Sequence, residues 1–194
     1  MFAYGIACGM EFLHKNKIIC PFLSPSNIII YNKFCPLIIP LRSSYIKFDE
    51  KSESENNKKK FFEKLNLNNV YHELLAPEIC NDPLNCDFDS LYKANVYSFG
   101  LILYLMSENN PSIKEIKKNG KIRKTSNVNG VIIDIINNSI DDHNKRYTFS
   151  QISDELEKFF DSEIEKDEQM EPMYKWAKMA KYLDFYNLMK NSRK

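Results

Sequence analysis

The uncharged run Val96-Tyr97-Ser98-Phe99-Gly100-Leu101-Ile102-Leu103-Tyr104-Leu105-Met106 constrains the fold more than any other stretch of this chain. The pattern around it predicts a helix over Tyr92–Met106 that is apolar on nearly every face. A helix with no polar face has nothing to present to water, so it has to run through the interior of a helical domain. The run is well short of the ~20 residues a membrane span requires. A chain of 194 residues, 43% of them apolar, can enclose such a spine in one domain with a short appendage.

Other segments supply the enclosure. Phe2, Ile6, Met10 and Leu13 recur at helical spacing through Met1–Lys15, where Gly5 and Gly9 would let a second helix approach closely. Helices are also expected over Pro111–Lys118, Val128–Asn138 and Phe149–Phe160. Thr148 and Gln151 form a capping box for the last, with Phe149, Ile152, Leu156, Phe159 and Phe160 as its inner stripe. Ile18–Cys20, Asn27–Tyr31 and Pro36–Pro40 read as short strands around a proline-bearing loop. Residues 42–70 lose periodicity, and the polar stretch 49–60 reads as a mobile loop with solvated charges. Residues 161–194 read as an acidic linker followed by an amphipathic helix carrying Trp176, Met179, Leu183, Tyr186 and Met189.

Composition excludes several functions. The net charge of +1 gives no bias toward nucleic acid or membrane, and no aromatics for base stacking interleave the basic stretch Lys114–Lys124, which reads as a solvated helix end. The five glycines leave none between Gly9 and Gly100, so no Gly-rich phosphate loop can form. The five cysteines form no C-x-x-C and lie at no ligand spacing from His14, His72 or His143, which argues against structural zinc. Cys20 has apolar neighbours and reads as a buried, inert thiol. The start of the chain has no basic segment and carries Glu11, unlike a secretory signal. A reduced, cytoplasmic protein is expected.

The order of segments carries a resemblance. Gly9-Met10-Glu11-Phe12-Leu13-His14, then Ile18-Ile19-Cys20-Pro21-Phe22-Leu23-Ser24-Pro25-Ser26-Asn27-Ile28, resembles the helix and catalytic loop of a protein kinase. Leu75-Ala76-Pro77-Glu78-Ile79 resembles that family's A-P-E segment, and Asn95-Val96-Tyr97-Ser98-Phe99-Gly100 its D-V-Y-S-F-G. Arg146-Tyr147-Thr148-Phe149 resembles its late R-P-S/T-F. The wording is nearest the tyrosine-kinase-like group. The resemblance implies a mainly α fold: a kinase-like C-terminal lobe over residues 1–160, with a few short strands around the catalytic-loop region and a helical tail over 161–194. It also implies that the N-terminal lobe is absent, leaving Phe22, Leu23 and Leu41 in an exposed apolar patch.

The same comparison implies lost chemistry. Phe22 occupies the position of the family's catalytic Asp and can accept no proton. Pro40 stands where the Mg²⁺-binding Asp belongs and offers no side-chain oxygen to a hard cation. Of the metal ligands only Asn27 remains, as a relic whose expected role is to bond loop backbone. Neither ATP nor Mg²⁺, the family's cofactors, is expected to bind. Glu78 and Arg146 match the family's buried ion pair, and Asn95 matches the Asp that holds the catalytic loop. His14 reads as a packed, loop-anchoring histidine. These losses point to a catalytically inactive pseudokinase lobe that binds a protein partner in signalling. Two alternatives stay open: a truncated gene model of an active ATP-dependent protein kinase, and a helical-repeat adaptor that binds through its tail.

Overall fold

A computed structural model describes residues 1–20, 23–31, 35–39, 46–47, 72–82, 86–108, 111–122, 128–164, 174–175 and 178. The fold they form is mainly helical. Helices α1 (Phe2–Lys15), α2 (Pro77–Asn81), α3 (Phe88–Ser107), α4 (Ile113–Asn119), α5 (Gly130–Ile140) and α6 (Phe149–Ile164) are joined by short strands β1 (Ile18–Ile19), β2 (Ile28–Tyr31), β3 (Cys35–Ile38) and β4 (Ile46–Lys47). Among the described residues no helix is long and apolar enough to cross a membrane.

The apolar run forms the spine. Val96, Phe99, Leu101, Ile102 and Leu103 of α3 are buried, and α5 lies along the helix. The helix starts at Phe88, earlier than its apolar pattern, because the Asp87 carboxylate accepts the Ser90 N–H at 2.8 Å and caps a polar first turn. Ser98 fits inside because its hydroxyl donates to the Leu74 carbonyl at 2.8 Å and to the Ala94 carbonyl at 3.1 Å. The spine therefore also holds the 3-10 turn His72–Leu74.

Local caps explain the other shifted boundaries. Helix α4 starts two residues after Pro111, where the Ser112 hydroxyl accepts the Glu115 N–H, and it ends on Gly120 at φ +69°. Helix α5 begins after Asn129, which caps the Val131 N–H at 2.9 Å. In α6 the Thr148–Gln151 box is formed, with Gln151 Oε1 accepting the Thr148 N–H at 2.8 Å and Thr148 Oγ1 accepting the Gln151 N–H at 3.2 Å. Helix α6 runs past Phe160 to Ile164.

The strands form two antiparallel pairs. Strand β1 pairs with β4, Ile18 opposite Lys47, and β2 pairs with β3 from Ile28 opposite Ile38 to Tyr31 opposite Cys35. Strand β4 falls inside the stretch without periodicity, since two residues are too few to display a period. The polar stretch 49–60 lies outside the described residues.

Two expectations about packing need correction. Gly5 and Gly9 admit strand β3, not a helix: a Cβ on Gly5 would lie 2.6 Å from Pro36 Cγ, and one on Gly9 3.1 Å from Ile38 Cδ1. Leu23 is not part of an exposed patch; it is 1% exposed and belongs to the core, while Phe22 and Leu41 lie outside the described residues. Among the described residues the exposed large apolar side chains are instead Ile29, Ile30, Tyr31 and Leu37 on the β2–β3 hairpin, with Met106 at the end of α3.

Helices α3 and α5 meet tightly at Gly100, where an added Cβ would stand 2.5 Å from Ser139 Cβ. Gly100→Ala should gain ~1 kcal/mol of helix propensity but lose ~1–3 kcal/mol to overpacking, a net loss of up to about 2 kcal/mol in urea unfolding. Adding Ser139→Gly should recover part of that loss. A Gly100→Ala protein more stable than the parent contradicts the close contact.

Candidate functional site

Arg146 lies where four elements meet. It leaves the 3-10 turn His143–Lys145 just before α6, and its side chain is 3% exposed. A guanidinium is never neutral in a protein, so burying one requires an acceptor for each edge. Its Nη1 and Nη2 donate to Glu78 Oε1 and Oε2 at 2.5 and 3.0 Å, a two-pronged bond to the first turn of α2. Nη1 also donates to the Lys93 carbonyl at 3.2 Å, and Nε to the Asp141 carbonyl at 2.9 Å. Lys93 returns the contact, its ammonium donating to the Arg146 carbonyl at 2.6 Å. The guanidinium covers the Tyr97 ring at 4.8 Å. Burial raises the Tyr97 phenol, against the pull of the Arg146 charge.

Glu78 and Arg146, 68 residues apart, thus meet as the sequence reading anticipates. A cavity of about 360 Å³ opens beside them, lined in part by Tyr97, Lys117, Asp142 and His143. Its charges are mixed. Among the described residues no group of three or more His, Cys, Asp or Glu side chains is placed to hold a metal ion.

The proline-bearing loop is held from inside. Asn27 is 2% exposed; its Oδ1 accepts the Ser24 N–H at 3.0 Å and its Nδ2 donates to Cys20 Sγ at 3.4 Å. The Asn27 N–H in turn donates to the Ser24 carbonyl at 3.1 Å, closing the 3-10 turn Pro25–Asn27. The oxygen that could ligate a cation therefore serves the loop backbone. Cys20 is fully buried. Phe22 and Pro40 lie outside the described residues.

Pro21 and Phe22, part of the loop that Asn95 is expected to hold, lie outside the described residues, and the bond seen for Asn95 is local. An amide can donate as well as accept, and its Nδ2 bonds the Leu91 carbonyl one turn back at 2.7 Å. Its side chain lies against His14. The contact is loosely aligned, for among the described residues neither Asn95 Oδ1 nor His14 Nε2 meets a group at hydrogen-bonding geometry. The His14 ring stacks on Tyr92 with centroids 4.3 Å apart and meets Phe149 edge-on at 5.0 Å. Burial pushes the imidazole down to about 3, with the Asn95 contact pulling weakly upward.

One buried charge escaped the sequence reading. Glu11 is 4% exposed on α1, its Oε2 accepting the Ser153 hydroxyl of α6 at 2.6 Å and its Oε1 paired with Lys15 at 2.5 Å. A carboxylate on an apolar helix face four residues before a lysine was the available signal. The start of the tail also touches the core: Tyr174 is buried against Tyr4 and Phe160, and its hydroxyl donates to Asp161 Oδ1 at 2.5 Å. Lys178 pairs with Glu157 at 3.1 Å. The rest of the expected amphipathic helix lies outside the described residues.

Compared with known proteins, the chain matches no protein-family model and finds no significant match among curated proteins.

The His14 site makes stability depend on pH. The free ring titrates at 6.5 and the folded one at about 3, so between these values the unfolded chain binds a proton that the folded chain does not. Stability then falls as the pH falls, by about 2 kcal/mol for this group between about pH 7.5 and about pH 5. His14→Gln should flatten that part of the unfolding profile. An equal loss in parent and variant contradicts the assignment.

Proposed function

We propose that this chain is a protein-kinase-like large-lobe module that does not transfer phosphate and serves as a protein-binding element in signalling. The observation that carries the reading is the Glu78–Arg146 pair. The resemblance singled out these two residues, far apart in sequence, as an ion pair between the A-P-E-like segment and the last helix, and a two-pronged contact of that kind supports it.

The residues do not fit Mg·ATP. A phosphoryl-transfer site needs a carboxylate for the substrate proton and oxygen ligands for the metal. The corresponding positions hold Phe22 and Pro40. Asn27, the remaining ligand type, has its side-chain oxygen committed to the Ser24 amide. Each such group contributes several kcal/mol of transition-state stabilisation, so their joint loss is not offset by one asparagine. What the chain keeps are groups that hold elements together, as expected of a module whose function is a surface.

The test is thermal unfolding with and without millimolar Mg·ATP, beside a phosphate-transfer assay on a generic protein substrate. The expected result is no rise in midpoint and no transfer. A rise of several degrees that Asn27→Ala abolishes would overturn the proposal.

A further inference from the structure

The β2–β3 hairpin is built like one half of a larger sheet. Ile39 N–H donates to the Asn27 carbonyl at 2.8 Å, which fixes the phase of the ladder. With Ile29 opposite Leu37 and Ile30 opposite Pro36, the backbone groups of Ile29 and Tyr31 face β3, while those of Ile28 and Ile30 face the other way. Pro36 fits this phase because it lies opposite Ile30, where no N–H is needed between the strands. Among the described residues no strand pairs with the outer edge of β2. That edge is apolar as well as open, since Ile29, Ile30 and Tyr31 are each about half exposed and Leu37 is exposed beside them.

Sheet edges in soluble proteins are ordinarily blunted by a charge, a proline or a bulge. Strand β2 carries none of these, and no charged residue occurs between Lys17 and Lys33. A charged partner strand would find no counter-charge here. A second copy of the same strand, antiparallel about a two-fold axis, opposes no like charges and matches β-branched side chains across the join.

We propose that β2 is a self-association edge: two copies of this chain pair β2 with β2 in antiparallel register, making a four-stranded sheet across the dimer. Ile29 meets its own counterpart on the two-fold axis, and Ile28 of one copy exchanges backbone bonds with Ile30 of the other. The inference stands on the hairpin and not on the proposed function. The exposed side chains fall well below the ~800 Å² per partner of a standard stable interface. The dimer is therefore weak and concentration-dependent.

Sedimentation velocity on the full chain, from low to high micromolar, tests it with two variants. Ile30→Pro removes an outward N–H without touching the β2–β3 ladder, and Ile29→Lys places like charges face to face on the axis. Reversible dimerisation of the parent is expected, about tenfold weaker in each variant. Amide exchange should show Ile28 and Ile30 gaining protection as concentration rises. A parent that stays monomeric throughout, dimerises without that protection, or associates as strongly in both variants as in the parent overturns the proposal. Thermal melts of both variants check that the fold survives, and association lost only together with the fold also counts against it.

Discussion

Arg146 cannot shed its charge, and it has almost no contact with water. That combination dictates much of the surrounding arrangement, because every edge of the guanidinium has to be met by an acceptor held at the right place. Glu78 comes from α2, the Lys93 carbonyl from α3, the Asp141 carbonyl from the end of α5, and Arg146 itself leads into α6. No two of these elements can shift relative to one another without stranding a donor. An apolar contact tolerates sliding; a two-pronged ion pair with two further carbonyls does not.

Other buried polar groups repeat the device on a smaller scale. Ser98 ties the spine to the turn at Leu74, Ser153 ties α6 to Glu11 on α1, and Asn27 closes its own loop. Each lies at a junction between elements or within a turn, where packing alone leaves orientation undetermined. The apolar core supplies the bulk of the driving force, and these bonds select one arrangement of it. The Gly100–Ser139 approach adds a steric version of the same selection, since α3 and α5 fit this closely only where one side chain is missing.

The sequence disclosed local patterns better than tertiary partners. The spine was legible because the uncharged run leaves no solvent-facing solution. The α6 cap was legible because Thr148 and Gln151 satisfy a local hydrogen-bond pattern. The Glu78–Arg146 contact came from resemblance, which carries information that periodicity over short windows cannot. What failed depended on tertiary partners. Glycines four apart in α1 look the same whether a helix or a strand approaches, and here β3 does. Leu23 looked exposed because its own segment carries no periodicity to show that it joins the apolar core. The burial of Glu11 was not legible because Ser153, its partner, lies 142 residues away. Asn95 resembles an aspartate, but unlike one it carries an N–H, and that group donates within its own helix to the Leu91 carbonyl.

The most direct measurement is a double-mutant cycle on the ion pair, using Glu78→Gln, Arg146→Met and the double variant in urea unfolding. Stranding one buried charge should cost about 3–5 kcal/mol, and the second substitution should then cost little more, leaving a coupling of about 2 kcal/mol or above. Additivity of the two losses to within about 0.5 kcal/mol would contradict the account, because it would mean that Glu78 and Arg146 stabilise the fold independently.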